Sequence, residues 1–596
     1  MKKILGGVLV LVLVCAAALT TWFLLRKPRV YRAEDLLPSQ TIAFIDFPQA
    51  GLSRQRIAQS AIGRIVAEPE VKKFLKRPRE AMEKEMKARG DAMVIFQEIM
   101  KALATAEGEA FVALTDVSIS PRLDFGIVGG FDPGKNRKDA DRAMEKLLER
   151  CRLEYPTAEL VEHKAGSLSY KVWSPKRTVE IAFAKAGNFI LFSYGEDPMK
   201  QVLDRASDGN PDSLSKSPLF TAHRERCKGS DAMMFVNPQA VFGRLQLLFA
   251  AKPELQTQLA SVLAIQSFVG TTTMKGDAVE SHTWMGIPPA AQGGMGFSDF
   301  KPCARDTLNA AGRDTLLYAV VSMDVAAWYD RTIASISRQG GGMVRQSIEN
   351  FLVLLETRGI RLREDVLSQL GPEVALIMDW QGKTPLFSVV AQVKDPKQAR
   401  GAFEKIFQFA QEQFAPPVTS MQPGMSAGDA STIVSIVPPQ AGRPLSPSFT
   451  VTDQFLVLSQ NRDGVENILQ RLGGTQERLS ARKEFQQCDA RMPKGYYQFA
   501  YCDEKRLFES VYDSLHDVLW MMIKSPQFAQ AAPYMDLAEL PHTDTIARHL
   551  SPGVWASTVD AQGVHHDSCA PFDLPVLVFA VAQSELLNGG AGAMPR

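Results

Sequence analysis

The same series of predicted elements runs twice through this chain, about 265 residues apart, and a polypeptide that repeats an order of strands and helices is restricted to architectures that can be built twice. Thr41 to Phe47 answers to Thr315 to Val321, Glu109 to Leu114 answers to Glu373 to Met378, and Leu123 to Phe131 answers to Leu386 to Val393. A helical stretch follows in each half, Ala143 to Leu147 against Ala402 to Ile406, opened by Asp132-Pro133 or Asp395-Pro396. Asn188 to Ser193 then matches Gln454 to Ser459, and Val202 to Arg205 matches Ile468 to Arg471. Any one apolar run resembles another, but agreement in order over many elements seldom arises by chance. The chain reads as two tandem homologous copies of one αβ domain; the alternative is two unrelated αβ domains.

Within each copy the spacing defines the class. Leu168, Tyr170 and Val172, like Val179, Ile181 and Phe183, alternate with polar residues, which predicts short antiparallel strands. Ala140, Met144, Leu147 and Cys151, like Ala399, Phe403, Ile406 and Ala410, recur at helical period and give one apolar stripe to lay on a sheet. An α+β fold of antiparallel sheets with helices buries both patterns. Each copy ends in a predicted hairpin: Ser267 to Thr273 with Ala278 to Trp284, and Gly553 to Val559 with Val564 to Ser568. The Pro/Gly-rich stretch 288–303 predicts a linker, dividing the chain into a signal anchor (1–30), a first domain (31–287), a second domain (304–580) and a flexible tail (581–596). A second irregular stretch, Ala415 to Pro447, surrounds a predicted strand at Ile433 to Val437.

Ile4 to Leu25 carries no charge and is long enough to span a bilayer, with Lys2-Lys3 before it and Arg26, Lys27 and Arg29 after it. Trp22 to Leu25 continues the apolar run past the small residues Ala16 to Ala18, which favours an uncleaved signal anchor over a cleaved signal peptide. The expected location is a single-pass inner (cytoplasmic) membrane protein, with its large domain in the periplasm or outside the cell.

The formal net charge of +1 removes the long-range attraction on which general nucleic-acid binding depends. The basic run Lys72, Lys73, Lys76, Arg77 and Arg79 is followed by Glu80, Glu83 and Glu85 and reads as a solvated helix face rather than a headgroup-binding patch. Six cysteines beyond the anchor have no CxxC or CxC spacing, against a zinc or thioredoxin-like centre. No phosphate-binding loop, HExxH, GxSxG or EF-hand pattern occurs, and no cofactor is implied. One constellation could carry chemistry: His542, His549, His565 and Asp567, near Asp544 and His566, are candidate metal ligands if they converge. Adjacent strand residues face opposite ways, so only one of His565 and His566 could join such a set. Trp520, Met521, Met522 and Ile523 extend a helix whose core stripe already runs through Leu507, Val511, Leu515 and Val518. This second apolar face predicts packing on the other copy, or contact with a partner or lipid.

Leu36-Leu37-Pro38-Ser39-Gln40-Thr41-Ile42-Ala43-Phe44-Ile45 resembles the opening "LLP-x-x-T" strand of a family of bacterial exported proteins that is defined only as a domain of unknown function. Gly359 to Ala375, with Gly359-Ile360, Asp365-Val366-Leu367 and Leu370-Gly371-Pro372-Glu373, resembles the same family's helix and strand entry. The resemblance implies export and anchoring and transfers no active site. Locally, Leu362 to Leu370 predicts a short amphipathic helix stopped by Gly371. The function expected is a non-catalytic binding or scaffolding role in the envelope, anchored in the membrane through residues 4–25, with another envelope protein as partner. The alternative is a metal-assisted hydrolase centred on the C-terminal histidines and Asp567.

Overall fold

The computed structural model describes residues 30–88, 105–119, 123–154, 158–176, 179–208, 212–244, 264–294, 296–339, 342–382, 384–414, 433–436, 446–512 and 536–571. The run Ile4 to Leu25, the Trp520 to Ile523 face and the tail 581–596 lie outside these. Among the described residues no helix is long and apolar enough to cross a membrane. The fold is α+β, and the chain divides into two compact units, one from residues up to 54 and from 85 to 251, the other from 55–84 and from 252 onward. Residues 55–84 and 252–287, expected in the first domain, thus belong to the second unit. The expected linker carries a short helix, Pro289–Gly294, and a 3-10 turn, Phe297–Asp299.

The first unit contains β1 (Ala43–Phe47), β2 (Ala110–Ile119), β3 (Leu123–Phe131), β4 (Glu159–Ala165), β5 (Leu168–Lys176), β6 (Val179–Ala186), β7 (Phe189–Tyr194) and β8 (Ala232–Val236). All pair antiparallel in the order β4-β5-β6-β7-β3-β2-β1-β8. Period-two alternation sends Phe44, Phe111, Phe189 and Phe235 to one face, where each is almost wholly buried. Phe220, from the helix Pro218–Arg224, meets Phe44 and Phe235 edge-on with ring centroids 6.1 and 5.4 Å apart. A second cluster joins Ala140, Met144 and Leu147 of the helix Arg137–Glu154 to Trp173, Phe183 and Ile190, the stripe its period predicts. On β1, β2, β3 and β7, Ile45, Val112, Ile127 and Tyr194 remain 43, 40, 36 and 38% exposed.

The second unit contains β9 (Ser267–Lys275), β10 (Ala278–Gly286), β11 (Leu317–Ser322), β12 (Leu370–Gln381), β13 (Thr384–Val393), β14 (Val434–Ser435), β15 (Ser448–Val451), β16 (Phe455–Ser459), β17 (Gln498–Cys502), β18 (Gly553–Asp560) and β19 (Gly563–Ala570). The antiparallel order is β14-β15-β16-β13-β12-β11-β17-β18-β19-β10-β9. The hairpin β9–β10, written in the first half of the sequence, therefore continues a sheet whose other strands come from the second half. Residues 61–84 join it there: Ile65 and Val71 pack with Leu550, Phe508 and Ile546, while Lys73 and Arg77 reach Glu539 and Asp536 at 3.6 and 2.8 Å. Two members of the basic run are thus ion-paired.

Leu362 to Gln369 forms a π turn and a 3-10 turn instead of one short α-helix. Gly371 does not stop it; it lies inside β12, where a Cβ would come within 2.6 Å of the Gln392 Cβ, so close approach of β13 is what this glycine serves. The helix Arg462–Leu472 is capped by Asn461, whose Oδ1 accepts from Gly464 N at 2.9 Å, and it buries Val465, Ile468 and Arg471. Arg471 donates to Asp379 Oδ2 at 2.7 Å, and Thr315 Oγ1 donates to Asp379 Oδ1 at 2.8 Å. Gly312 makes room for this pair, since a Cβ there would stand 2.4 Å from Arg471 Nε. Removing one member of a buried pair strands the other. Asp379→Ala is expected to lower stability by about 3–5 kcal/mol in denaturant unfolding, and Thr315→Val by about 1 kcal/mol.

Candidate functional site

The first unit holds three acids in or beside its core. Asp46 lies on β1 between the outward residues Ile45 and Phe47, so alternation turns its carboxyl inward, 7% exposed. It is hydrogen-bonded to Glu109, which stands just before β2 and accepts from Ala33 N at 2.9 Å. Glu34, 8% exposed, is paired with Arg224 and with Arg32. Burial lifts the Asp46 and Glu109 carboxyls well above the usual carboxylate range, and it outweighs Arg224 and Arg32 at Glu34. Two carboxyls in hydrogen-bond contact share a proton, the state that acid–base enzymes exploit. Here Asp46 and Glu34 are sealed from solvent, and Glu109 fastens the helix Ala33–Leu36 to the sheet.

In the second unit Glu373, fully buried before the main run of β12, accepts from Arg305 N at 2.5 Å and from Thr307 N and Oγ1, each at 3.2 Å. Arg305 adopts a left-handed φ of 72°, and its guanidinium makes two bonds to Asp489, at 3.0 and 2.6 Å. Both arrangements clamp a short helical turn through a glutamate, half-buried at Glu109 and fully buried at Glu373.

The candidate metal ligands do not converge. His542 N donates to Glu70 Oε2 at 2.8 Å, and Thr545 Oγ1 donates to the same oxygen at 2.9 Å. His549 Nε2 lies 2.7 Å from Glu68 Oε1, whose other oxygen meets Arg548 at 2.6 Å; these bonds hold the Glu68 carboxyl below its usual range. His565 faces Asp560 at 3.0 Å, His566 Nδ1 faces Ser557 at 2.9 Å, and Asp567 Oδ1 lies 2.5 Å from His282 Nδ1. Among the described residues no three His, Cys, Asp or Glu side chains are placed to hold a metal ion. Their partners Glu68, Glu70 and His282 come from the first half of the sequence, where no local pattern announces them. Cys227, Cys303, Cys488, Cys502 and Cys569 are thiols, not disulfides.

A surface depression of about 550 Å³ in the second unit is lined by Arg313, Asp314, Glu477, Arg482, Lys483 and Arg506 among others. Arg313 pairs with Glu477 at 2.7 Å, Arg506 with Asp314 at 3.3 Å and Arg482 with Asp503 at 2.8 Å, so most of its charge is spent locally. Near it in sequence, Glu504 is 6% exposed, and among the described residues neither of its carboxyl oxygens has a hydrogen-bond partner. Its carboxyl lies against Gly553, where a Cβ would stand 2.8 Å from Oε1, and burial alone lifts its pKa to about 8.

No family model and no curated protein matches this chain. Among solved structures, crystal forms III, I and IV of TP0453 are similar to 45, 44 and 43% of this chain over 87, 80 and 81% of their own, at 11% identity and a TM-score of 0.23.

The Glu504 carboxyl binds its proton more tightly folded, with a pKa of about 8, than unfolded, near 4.5. Its effect on stability is therefore neutral below that lower value and increasingly unfavourable as pH rises towards 8. Glu504→Gln removes this slope. The native chain is expected to lose on the order of 3–5 kcal/mol relative to the variant between pH 4.5 and 8, measured by denaturant midpoints across that range.

Proposed function

We propose that this chain is an exported, membrane-anchored envelope protein with a non-catalytic binding or scaffolding role, built from two homologous copies of one antiparallel αβ domain. The order β6-β7-β3-β2-β1-β8 and the order β15-β16-β13-β12-β11-β17 support the copies. So do the registers: Phe44 opposite Ala113 corresponds to Tyr318 opposite Ile377, Ala43 opposite Val236 to Leu317 opposite Cys502, and Phe183 opposite Phe192 to Phe449 opposite Leu458. Leu214 and Phe220 correspond to Leu479 and Phe485, all buried.

The observation that carries the binding role is the partly exposed apolar row of the first sheet. Ile45 stands opposite Val112, and Ile127 opposite Tyr194, each more than a third exposed. Contiguous exposed apolar surface on a folded domain marks a contact site. The partner proposed is another envelope protein, and the apolar run Ile4 to Leu25 supports the anchor.

A photo-reactive residue at Val112 of the full chain in intact cells is expected to give one discrete adduct with an envelope protein, and one at the exposed Glu162 of β4 none. The chain is expected to stay with membranes through alkaline extraction. Recovery in the soluble fraction, or the same adducts from both positions, overturns the reading.

A further inference from the structure

The hairpins β9–β10 and β18–β19 have the same construction. Each has a two-residue turn, Gly276–Asp277 flanked by the pair Lys275 and Ala278, and Ala561–Gln562 flanked by the pair Asp560 and Gly563. Laid turn on turn, Lys275 corresponds to Asp560, Glu280 to His565 and His282 to Asp567. The strands β10 and β19 pair with each other from Val279 opposite Ala570 to Gly286 opposite Gly563, and within that seam His282 stands directly opposite Asp567. A residue facing its own counterpart marks a local two-fold axis, with Glu280 opposite Cys569 on one side and Trp284 opposite His565 on the other.

At such an axis identical residues would meet, and like charges there repel. The opposite is found: His282 Nδ1 lies 2.5 Å from Asp567 Oδ1, and the His282 ring stacks on Trp284 at 5.9 Å. The flanking pair is also reversed in sign. Lys275 meets Glu280 at 2.7 Å within one hairpin, and in the corresponding place Asp560 meets His565 at 3.0 Å. Three corresponding positions thus carry groups of opposite charge type in the two hairpins.

We propose that these residues specify the seam: His282 and Asp567, on the local two-fold axis, with Lys275/Asp560 and Glu280/His565 beside them, make β10 the partner of β19 and disfavour pairing of two like hairpins, including hairpins from a second copy of this chain. The inference rests on the reading of the halves as copies. It assigns the interface between them its selectivity, through unlike charges placed where symmetry would put like ones.

The test uses the full chain and amide hydrogen exchange of 278–286 and 563–570, corrected for intrinsic rates and referenced to β12–β13. His282→Asp creates an acid facing an acid and is expected to speed exchange in the seam roughly tenfold at pH 7. Asp567→His sets two imidazoles face to face and is expected to do so at pH 5.5 but not at pH 8.5, where both are neutral. Exchanging the two residues, His282→Asp with Asp567→His, is expected to return the seam to native protection at both pH values. If neither single variant loosens the seam, the specificity proposal is overturned while the copies stand. If both single variants loosen it and the exchange fails to restore it, the two positions are not equivalent and their placement on a local two-fold axis falls.

Discussion

An antiparallel strand leaves a row of N–H and C=O groups unsatisfied until another strand covers it, and at β19 that requirement is met by β10 from the other half of the chain. Eight residue pairs run along this contact, and the second unit depends on it. The same unit takes residues 55–84 from the first half, where Glu68 and Glu70 receive bonds from His549, Arg548, His542 and Thr545. Chain order and spatial grouping therefore diverge. A boundary placed by composition at 288–303 falls on a short helix and a 3-10 turn, and the spatial grouping follows strand pairing and burial instead.

The elements themselves were readable because their signals are local. Alternation located β5 and β6, helical period located Arg137–Glu154 and Pro396–Phe414, and the Asp-Pro step before the latter acts as expected, with Asp395 Oδ1 accepting from Lys397 N and Gln398 N at 3.0 Å. Both terminal hairpins extend only slightly beyond their predicted limits. Gly371 is ambiguous in sequence because a glycine after an amphipathic stretch suits a helix stop and equally a strand that must lie close to its neighbour, and only the position of Gln392 distinguishes the two. The donation of β9–β10 to the second unit had no local signal at all, since a hairpin has the same alternation whichever sheet it joins.

Side-chain sites were much less readable. Clustering of histidines in sequence suggested convergence, but on β19 successive residues point to opposite faces, and β10 and β18 supply a different neighbour to each. His565 and Asp567 share a face and still bind apart, to Asp560 and His282. The buried acids Asp46 and Glu504 gave no sequence warning, because a carboxylate between apolar strand residues, like one in the charged run Asp503 to Arg506, ordinarily signals an exposed position.

The two glutamates that precede β2 and the main run of β12 fasten a helical turn with different sets of neighbours. Glu373 is surrounded by donors: two backbone N–H groups and the Thr307 hydroxyl. Glu109 has the Ala33 N–H, but its other neighbour is Asp46, an acid on a strand position where the second half has the apolar Val320. The same clamp thus contains a glutamate surrounded by donors in one half and a pair of neighbouring carboxyls in the other. On the proposed reading of the halves as copies, the clamp is the shared element, and the added acid is a divergence confined to the first. That divergence has a physical consequence independent of ancestry: burial of Asp46 beside the half-buried Glu109 raises both carboxyls towards the protonated form, so the fastening of Ala33–Leu36 is coupled to protonation in the first unit.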